Sequence, residues 1–270
     1  MEELDGKVAV ITGGGSGIGR ASAIALAGAG VHVVVSDIDA QRCDDVASEI
    51  NTAGGRAVGQ ACDVTSDVDV ASLRDRVLSE FGGVDIVMNN VGVLAFGRPE
   101  NIPIDAWQRI VDTNLLAIAR SISVFLPGLL AQGSGHFINT ASTAGLYGYS
   151  FERLPYSATK GAVVALTEAL ALYCIPQGVG VTLLCPGPVA TNIAEQMEVF
   201  GEIGPIQAPG LEMLDPSLVG DQVLDAIRKD IFFVPTHPEV HEILIEKARD
   251  PEGFLKRRIE LMGSADPSKE

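Results

Sequence analysis

Positive charge is scarce in this sequence: 19 lysines and arginines stand against 35 aspartates and glutamates, for a net charge of -16. Such a surface repels phosphate backbones and anionic bilayers, so no nucleic-acid or membrane partner is expected. Cysteine is scarce too, with four in 270 residues and no CxxC pair. Cys43, Cys62, Cys174 and Cys185 lack metal-ligand spacing, and a reduced, cytoplasmic protein is the simplest account of them. The start, Met1-Glu2-Glu3-Leu4-Asp5, is acidic and has no apolar segment of the kind a secretion signal needs. No apolar run is expected to span a membrane, because Arg120 and Glu168 interrupt the two best candidates. Pro/Ser-rich linkers, composition breaks and internal repeats are missing, which reads as one domain over residues 1–270. His237 and His241 are four apart beside Glu242, but HPEVHE is not HExxH, and no metal site is expected. Ser142 lies outside any GxSxG elbow, so it does not read as a hydrolase nucleophile.

What the chain does have is 47% hydrophobic residues in a regular alternation of strand-like and helix-like segments. Apolar runs at Lys7–Thr12, Val31–Ser36, Arg56–Cys62, Val84–Asn89, Gly135–Ala141, Val179–Cys185 and Ile231–Val234 predict strands. Helices are predicted between them, including a long one over Ile104–Leu130 and another over Pro155–Pro176. Strands apolar on both faces belong in a parallel sheet covered by helices on each side. The βαβ rhythm then implies right-handed crossovers and a doubly wound α/β fold with a parallel seven-stranded sheet. Residues 190–214 lack periodicity and are rich in Gly and Pro, which reads as a mobile substrate loop with small helices. Residues 236–270 read as a charged helical extension with a polar tail from about Gly263.

Residues 12 to 19 read Thr-Gly-Gly-Gly-Ser-Gly-Ile-Gly, after a buried strand and at the opening of a helix. Gly13, Gly15 and Gly17 let the chain turn sharply, and the backbone N–H groups of Ser16, Ile18 and Gly19 can approach a pyrophosphate. Asp37 ends the next strand, where a carboxylate can accept hydrogen bonds from the adenosine ribose and so favours NAD. The same aspartate also fits a plain strand-end turn.

Tyr156-Ser157-Ala158-Thr159-Lys160 opens a helix after the fifth predicted strand. Residues four apart share a helical face, so the phenol and the ammonium can point into one cleft. A cation about 4 Å from the phenol at an effective dielectric of 20 contributes about 4 kcal/mol, roughly three pKa units. That would bring the tyrosine close to physiological pH, as a general base for alcohol oxidation and a general acid for ketone reduction.

The GxxxGxG spacing together with YxxxK resembles the short-chain dehydrogenase/reductase family in its compact single-domain branch, over about residues 6 to 235. The resemblance implies a Rossmann fold and hydride transfer between NAD(H) and a secondary alcohol or ketone. It implies that Asp63, with the backbone of Cys62 and Val64, holds the adenine, and that Ile38 follows the ribose-binding Asp37. Asn90 and Gly92, in Asn89-Asn90-Val91-Gly92, resemble the family's NNAG, with Val91 in place of Ala. Ser142 resembles the catalytic serine that bonds the substrate oxygen, with Thr140 and Thr143 as competitors. Asn114 resembles the asparagine that holds a water beside the lysine, with a buried Asn bonding to backbone as the alternative. Pro186, Gly187, Val189 and Thr191 resemble the turn that fixes the nicotinamide carboxamide, while Tyr156 and Lys160 also touch the cofactor. NADP enzymes of the family place a basic residue where this chain has Ser16 or Ile38, and Arg20 and Arg42 read as solvated.

Leu94, Phe96, Leu146, Tyr147, Phe151 and the 190–214 loop would form the substrate pocket, and their apolar character favours a hydrophobic alcohol or ketone. Met197, Phe200 and Met213 would either line it or pack elsewhere. From Tyr156 to Ile175 only Lys160 and Glu168 are charged, which predicts a homo-oligomer, a tetramer by resemblance. A non-catalytic dinucleotide sensor on the same fold is the competing class, and it would be expected to lack the Tyr, Lys or Ser. Epimerase-like and enoyl-reductase-like relatives differ in glycine or tyrosine–lysine spacing.

Overall fold

A computed structural model describes residues 1–203 and 209–264. The strands are β1 (Val8–Thr12), β2 (His32–Asp37), β3 (Arg56–Ala61), β4 (Ile86–Asn89), β5 (Leu94–Gly97), β6 (Gly135–Thr140), β7 (Val179–Cys185), β8 (Met197–Phe200) and β9 (Phe233–Pro235). Seven of them form one parallel sheet, as the apolar runs predict, and their order is β3-β2-β1-β4-β6-β7-β9. The helices are α1 (Gly17–Gly28), α2 (Ala40–Thr52), α3 (Asp67–Phe81), α4 (Ile104–Val111), α5 (Ala117–Gln132), α6 (Leu154–Cys174), α7 (Pro216–Arg228), α8 (Glu239–Arg249) and α9 (Pro251–Ser264).

Strand alternation feeds two cores. Ala9, Ile11, Val33, Val35, Ile86 and Met88 face one way and meet Leu26 of α1 and Val219, Val223 and Ile227 of α7. Val8, Val10, Val34 and Val87 face the other way and meet Leu73 of α3, Phe125 and Leu129 of α5 and Leu170 of α6. Successive side chains of a strand point to opposite faces, so a central strand covered on both sides must be apolar throughout. The strand order reverses at β1, which pairs with both β2 and β4. At such a switch point the neighbouring loops diverge and leave a crevice at the carboxyl ends of the strands.

Several expectations need correction. The predicted helix over 104–130 runs on to Gln132 but is not regular: α4 passes through one π turn (Asp112–Leu116) into α5. The Asn114 side chain inside that turn is bonded to another segment, and π turns mark such local departures from the helical ladder. The substrate loop contains more than small helices. Its 3-10 turn (Asn192–Gln196) leads into β8, which pairs in parallel with β5 as a separate two-stranded sheet. A backbone clasp closes the base of this excursion, Ala190 N–H donating to Leu214 O at 2.9 Å and Leu214 N–H to Pro188 O at 3.1 Å. Residues 204–208 of the loop and the tail from 265 lie outside the described residues.

The helical stretches Ile104–Gln132 and Leu154–Gln177 are long and apolar enough to cross a membrane, contrary to the expectation that Arg120 and Glu168 break them. Both instead flank the sheet. Ile110, Ile118, Phe125 and Leu129 of the first, and Val163, Leu170, Ala171 and Cys174 of the second, are buried, while Ile104 and Leu116, and Leu154, Leu172 and Tyr173, are exposed.

Candidate active site

The crevice is walled first by the glycine loop. Gly13 and Gly17 have φ of 63° and 50°, the left-handed region that favours glycine. A Cβ on Gly19 would collide with the carbonyl oxygen of Gly13. Ser16, at the N-cap of α1, makes no side-chain cap bond, and the first turn of α1 carries no acid. The first N–H groups of this helix therefore face the loop with the helix's positive end behind them, as an anion site requires. Asp37 Oδ2 accepts from the Gly15 N–H at 3.1 Å, and its Oδ1 from the Asp39 N–H at 3.3 Å. The carboxylate thus stands against the glycine loop and also shapes a strand-end turn. Ile38 beside it is exposed, and Cys62 and Val64 are buried. Asp63 is folded into its own turn, accepting from the N–H and hydroxyl of Thr65 at 2.9 and 2.7 Å.

Arg20 and Arg42 are not simply solvated. Arg20 pairs with Glu49 at 2.6 Å. Arg42 pairs with Glu195 at 3.0 Å and lies 3.5 Å from Asp39. Sequence spacing carries no sign of the Glu195 contact, which joins α2 to the turn after β7.

Asn90 ties three strands together. Its N–H donates to Thr12 Oγ1 at 3.3 Å, its Nδ2 to Gly13 O at 3.2 Å, and its Oδ1 accepts from Thr140 Oγ1 at 3.4 Å. Gly92 marks the next wall: a Cβ there would stand 3.2 Å from Lys160 Nζ and 3.8 Å from Asn114 Oδ1. Asn114, 0% exposed, bonds both backbone groups of Val93, its Oδ1 accepting from N–H at 2.8 Å and its Nδ2 donating to C=O at 3.0 Å. The backbone-bonding alternative for Asn114 is therefore present.

Lys160 is 2% exposed and donates to Thr140 O at 2.7 Å. Burial lowers its pKa to about 8. Tyr156 does not match the sequence expectation. Burial pushes the phenol up to about 12, and a hydrogen bond with Ser142 and the charge of Arg153 offset only part of that. The Lys160 ammonium lies 5.7 Å from the centre of the Tyr156 ring and is directed at the Thr140 carbonyl. Desolvation acts on both groups and is the largest cause of the shift in each.

Ser142, also buried, donates to Pro186 O at 3.4 Å and accepts from the Ala144 N–H at 3.2 Å. Of its competitors, Thr140 spends its carbonyl on Lys160 and its hydroxyl on Asn90. The Thr143 hydroxyl is buried with no partner among the described residues. The turn after β7 is braced from below. Gly187 N–H donates to Thr236 Oγ1 at 3.1 Å, and His237 bonds Thr236 Oγ1 through Nδ1 and Glu212 O through Nε2. Val189 forms a bridge with Leu214, and Thr191 stands over Gly17, its Cγ2 2.9 Å from where a Cβ would be.

Tyr156 also belongs to an apolar cluster with Leu94, Phe96, Tyr147, Tyr149, Val240 and Phe254, against which Leu146 and Met197 pack. Phe151 is 46% exposed, and Met213 is exposed as well. Tyr149 and the contribution of α8 and α9 escape sequence reasoning. Those two helices follow the last strand, and no motif ties them to the site.

The residues present fit a dinucleotide: a glycine cradle that a Cβ would fill, an uncapped helix N-terminus, a carboxylate at the end of β2, and buried Tyr, Ser and Lys at the carboxyl ends of the strands. A family model for short chain dehydrogenase matches residues 7–199. The chain is 36% identical over 197 residues to a cyclohexanol dehydrogenase of Acinetobacter sp. strain SE19, covering 73% of this chain and 78% of that protein. It is 35% identical to a glycine betaine reductase of Emericella nidulans, but spans only 19% of that protein's length. A short chain dehydrogenase/reductase from Burkholderia phymatum, solved in complex with NAD, superposes with a TM-score of 0.84 at 33% identity, over 93% of this chain and 96% of that one. The site and the matches agree, and the chain belongs to the short-chain dehydrogenase/reductase family.

Proposed function

We propose that this oxidoreductase transfers a hydride between NAD(H) and a hydrophobic secondary alcohol or ketone. The observation that carries the reading is the double membership of Tyr156, which stands with Ser142 and Lys160 and also forms part of the apolar cluster around Tyr147 and Phe254. A substrate held against that cluster presents its oxygen to the phenol. The cyclohexanol dehydrogenase relative and the NAD-bound neighbour support the same direction.

When bound, the nicotinamide accepts or donates the hydride. The chain's own groups do the rest. The glycine loop and the N-terminus of α1 hold the pyrophosphate, and Asp37 the adenosine ribose. Asp63, with the backbone of Cys62 and Val64, edges the adenine beside Ile38. Asn90 and Gly92 shape the floor, and Pro186, Gly187, Val189 and Thr191 orient the carboxamide. Ser142 grips the substrate oxygen. Tyr156 takes its proton during oxidation and returns it during reduction, as the hydride leaves or reaches the carbon. Lys160 holds the nicotinamide ribose, and Asn114 places a water that carries protons to and from the lysine. Orientation and polarisation are thus the protein's contribution.

A panel of alcohols with NAD, read at the absorbance of NADH, tests the proposal. Cyclic and longer aliphatic secondary alcohols should reduce NAD, and sugar acids should not. Turnover confined to charged polyols would overturn the substrate class.

We further propose one cytoplasmic domain over residues 1–270 that assembles as a homotetramer. Leu172 is 82% exposed, and Leu154, Tyr173 and Ile175 are exposed on and just beyond the same helix. An outward apolar face of this kind is best covered by a second copy. Light scattering at micromolar concentration should give four chains, and a monomeric mass would refute the assembly.

A further inference from the structure

We infer that Glu195, far in sequence from the adenosine end of the crevice, is a specificity determinant that excludes a 2′-phosphate by occupying Arg42. The inference rests on the proposed NAD reading and deepens it.

Asp37 and Arg42 share one wall of the glycine loop. A Cβ on Gly15 would lie 2.7 Å from Arg42 Cβ and 2.9 Å from Asp37 Oδ2. A guanidinium is therefore rooted beside the carboxylate that faces the ribose. Left to itself it could offer a planar fork to a phosphate, the geometry that arginine supplies best. The structure directs it elsewhere. Arg42 Nη2 donates to Glu195 Oε2 at 3.0 Å, and its Nε lies 3.5 Å from Asp39 Oδ2. Glu195 is itself held in place, because its other oxygen accepts from Asn192 Nδ2 at 2.6 Å. With one donor on each oxygen, the carboxylate keeps its orientation, and its pKa is lowered by Asn192 first and then by Arg42.

Glu195 reaches this place because the segment after β7 crosses the mouth of α1. Thr191 sits over Gly17, and the 3-10 turn that follows brings Glu195 to α2, 153 residues from Arg42 along the chain. Three carboxylates, Asp37, Asp39 and Glu195, then act on the single guanidinium. A 2′-phosphate would bring a charge of about -1.5 to -2 into that group. It would meet Asp37 directly and find Arg42 already engaged through Nη2 by Glu195.

The test measures binding of two fragments by calorimetry: 5′-AMP, and 2′,5′-ADP, which adds only the 2′-phosphate. The wild type should bind 2′,5′-ADP at least about tenfold more weakly than 5′-AMP. Glu195→Gln keeps the shape and removes the charge. It should tighten 2′,5′-ADP by about three- to tenfold and leave 5′-AMP within about twofold. Adding Arg42→Gln should erase that gain, because the freed guanidinium is its source. Equal changes for both fragments would make Glu195 a mere strap for the loop, and no change, or a gain that survives Arg42→Gln, would also overturn the inference. Equally tight binding of both fragments by the wild type is a separate result that removes the NAD reading itself.

Discussion

Replacing Tyr156 by Phe is expected to lower turnover by at least about a hundredfold while NADH affinity stays within a few-fold. The substitution deletes one oxygen and keeps the ring. That ring is buried among Leu94, Phe96, Tyr147 and Tyr149, so the packing survives and the fold should hold. What disappears is the group that bonds Ser142 and that, in the proposed reaction, exchanges a proton with the substrate oxygen. Neither Ser142 nor Lys160 can replace it: the serine hydroxyl is a poor acid, and the lysine is turned to Thr140 O at 2.7 Å. A pH signature should accompany the loss. Burial raises the phenol to about 12 in the cofactor-free chain, so at neutral pH it is protonated and ready to donate. Ketone reduction should therefore run well at neutral pH, and alcohol oxidation should accelerate as pH rises and the phenol deprotonates. The cationic oxidised nicotinamide would shift that rise to lower pH. Steady-state rates in both directions across pH, for wild type and variant, check this. A variant that retains more than about a tenth of the rate would remove Tyr156 from acid–base chemistry.

The second large effect concerns the cofactor: the wild type should prefer NAD over NADP by at least about tenfold and up to several hundredfold in kcat/KM. A phosphate about 4 Å from the Asp37 carboxylate is repelled by about 1 kcal/mol per charge pair in water and about 4 kcal/mol at a dielectric of 20. Asp37 is half-buried, so the effective value lies between these limits. Asp37→Ala should lose much of the preference. It should also weaken NAD binding, because the Gly15 N–H loses its acceptor and the loop loosens. Asp37→Asn separates the two effects, since an amide oxygen can still accept from Gly15 while carrying no charge. Comparing both cofactors on one alcohol for the three proteins is the measurement. Equal efficiency of the wild type with NAD and NADP would show that Asp37 does not face the ribose, or that Arg42 escapes Glu195.

Much of this molecule is legible in local pattern. Runs such as VAVIT and HVVVSD are apolar on both faces, and only a strand covered on both sides tolerates that, so the parallel sheet and its seven strands follow. TGGGSGIG between a strand and a helix suits close approach of backbone to an anion. Tyr156 and Lys160 share a helical face by spacing alone. In each case the information is carried by neighbours within a few residues, where periodicity and conformational preference act.

Tertiary structure decided whatever depends on distant partners. The π turn at Asp112–Leu116 exists beside an Asn114 side chain bonded to Val93, 21 residues away, and reads as plain helix without that partner. Parallel pairing of β8 with β5 turns part of an irregular loop into sheet, and the residues of Met197–Phe200 alone do not announce it. Burial raises the Tyr156 phenol more than Ser142 and Arg153 lower it, and burial is a property of the whole fold. The wall supplied by Val240 and Phe254 has the same origin, as does the hold of Glu195 on Arg42. Spacing along the chain reports which groups can share an element. Which groups meet across elements, and how dry their meeting place is, is settled only when the elements pack.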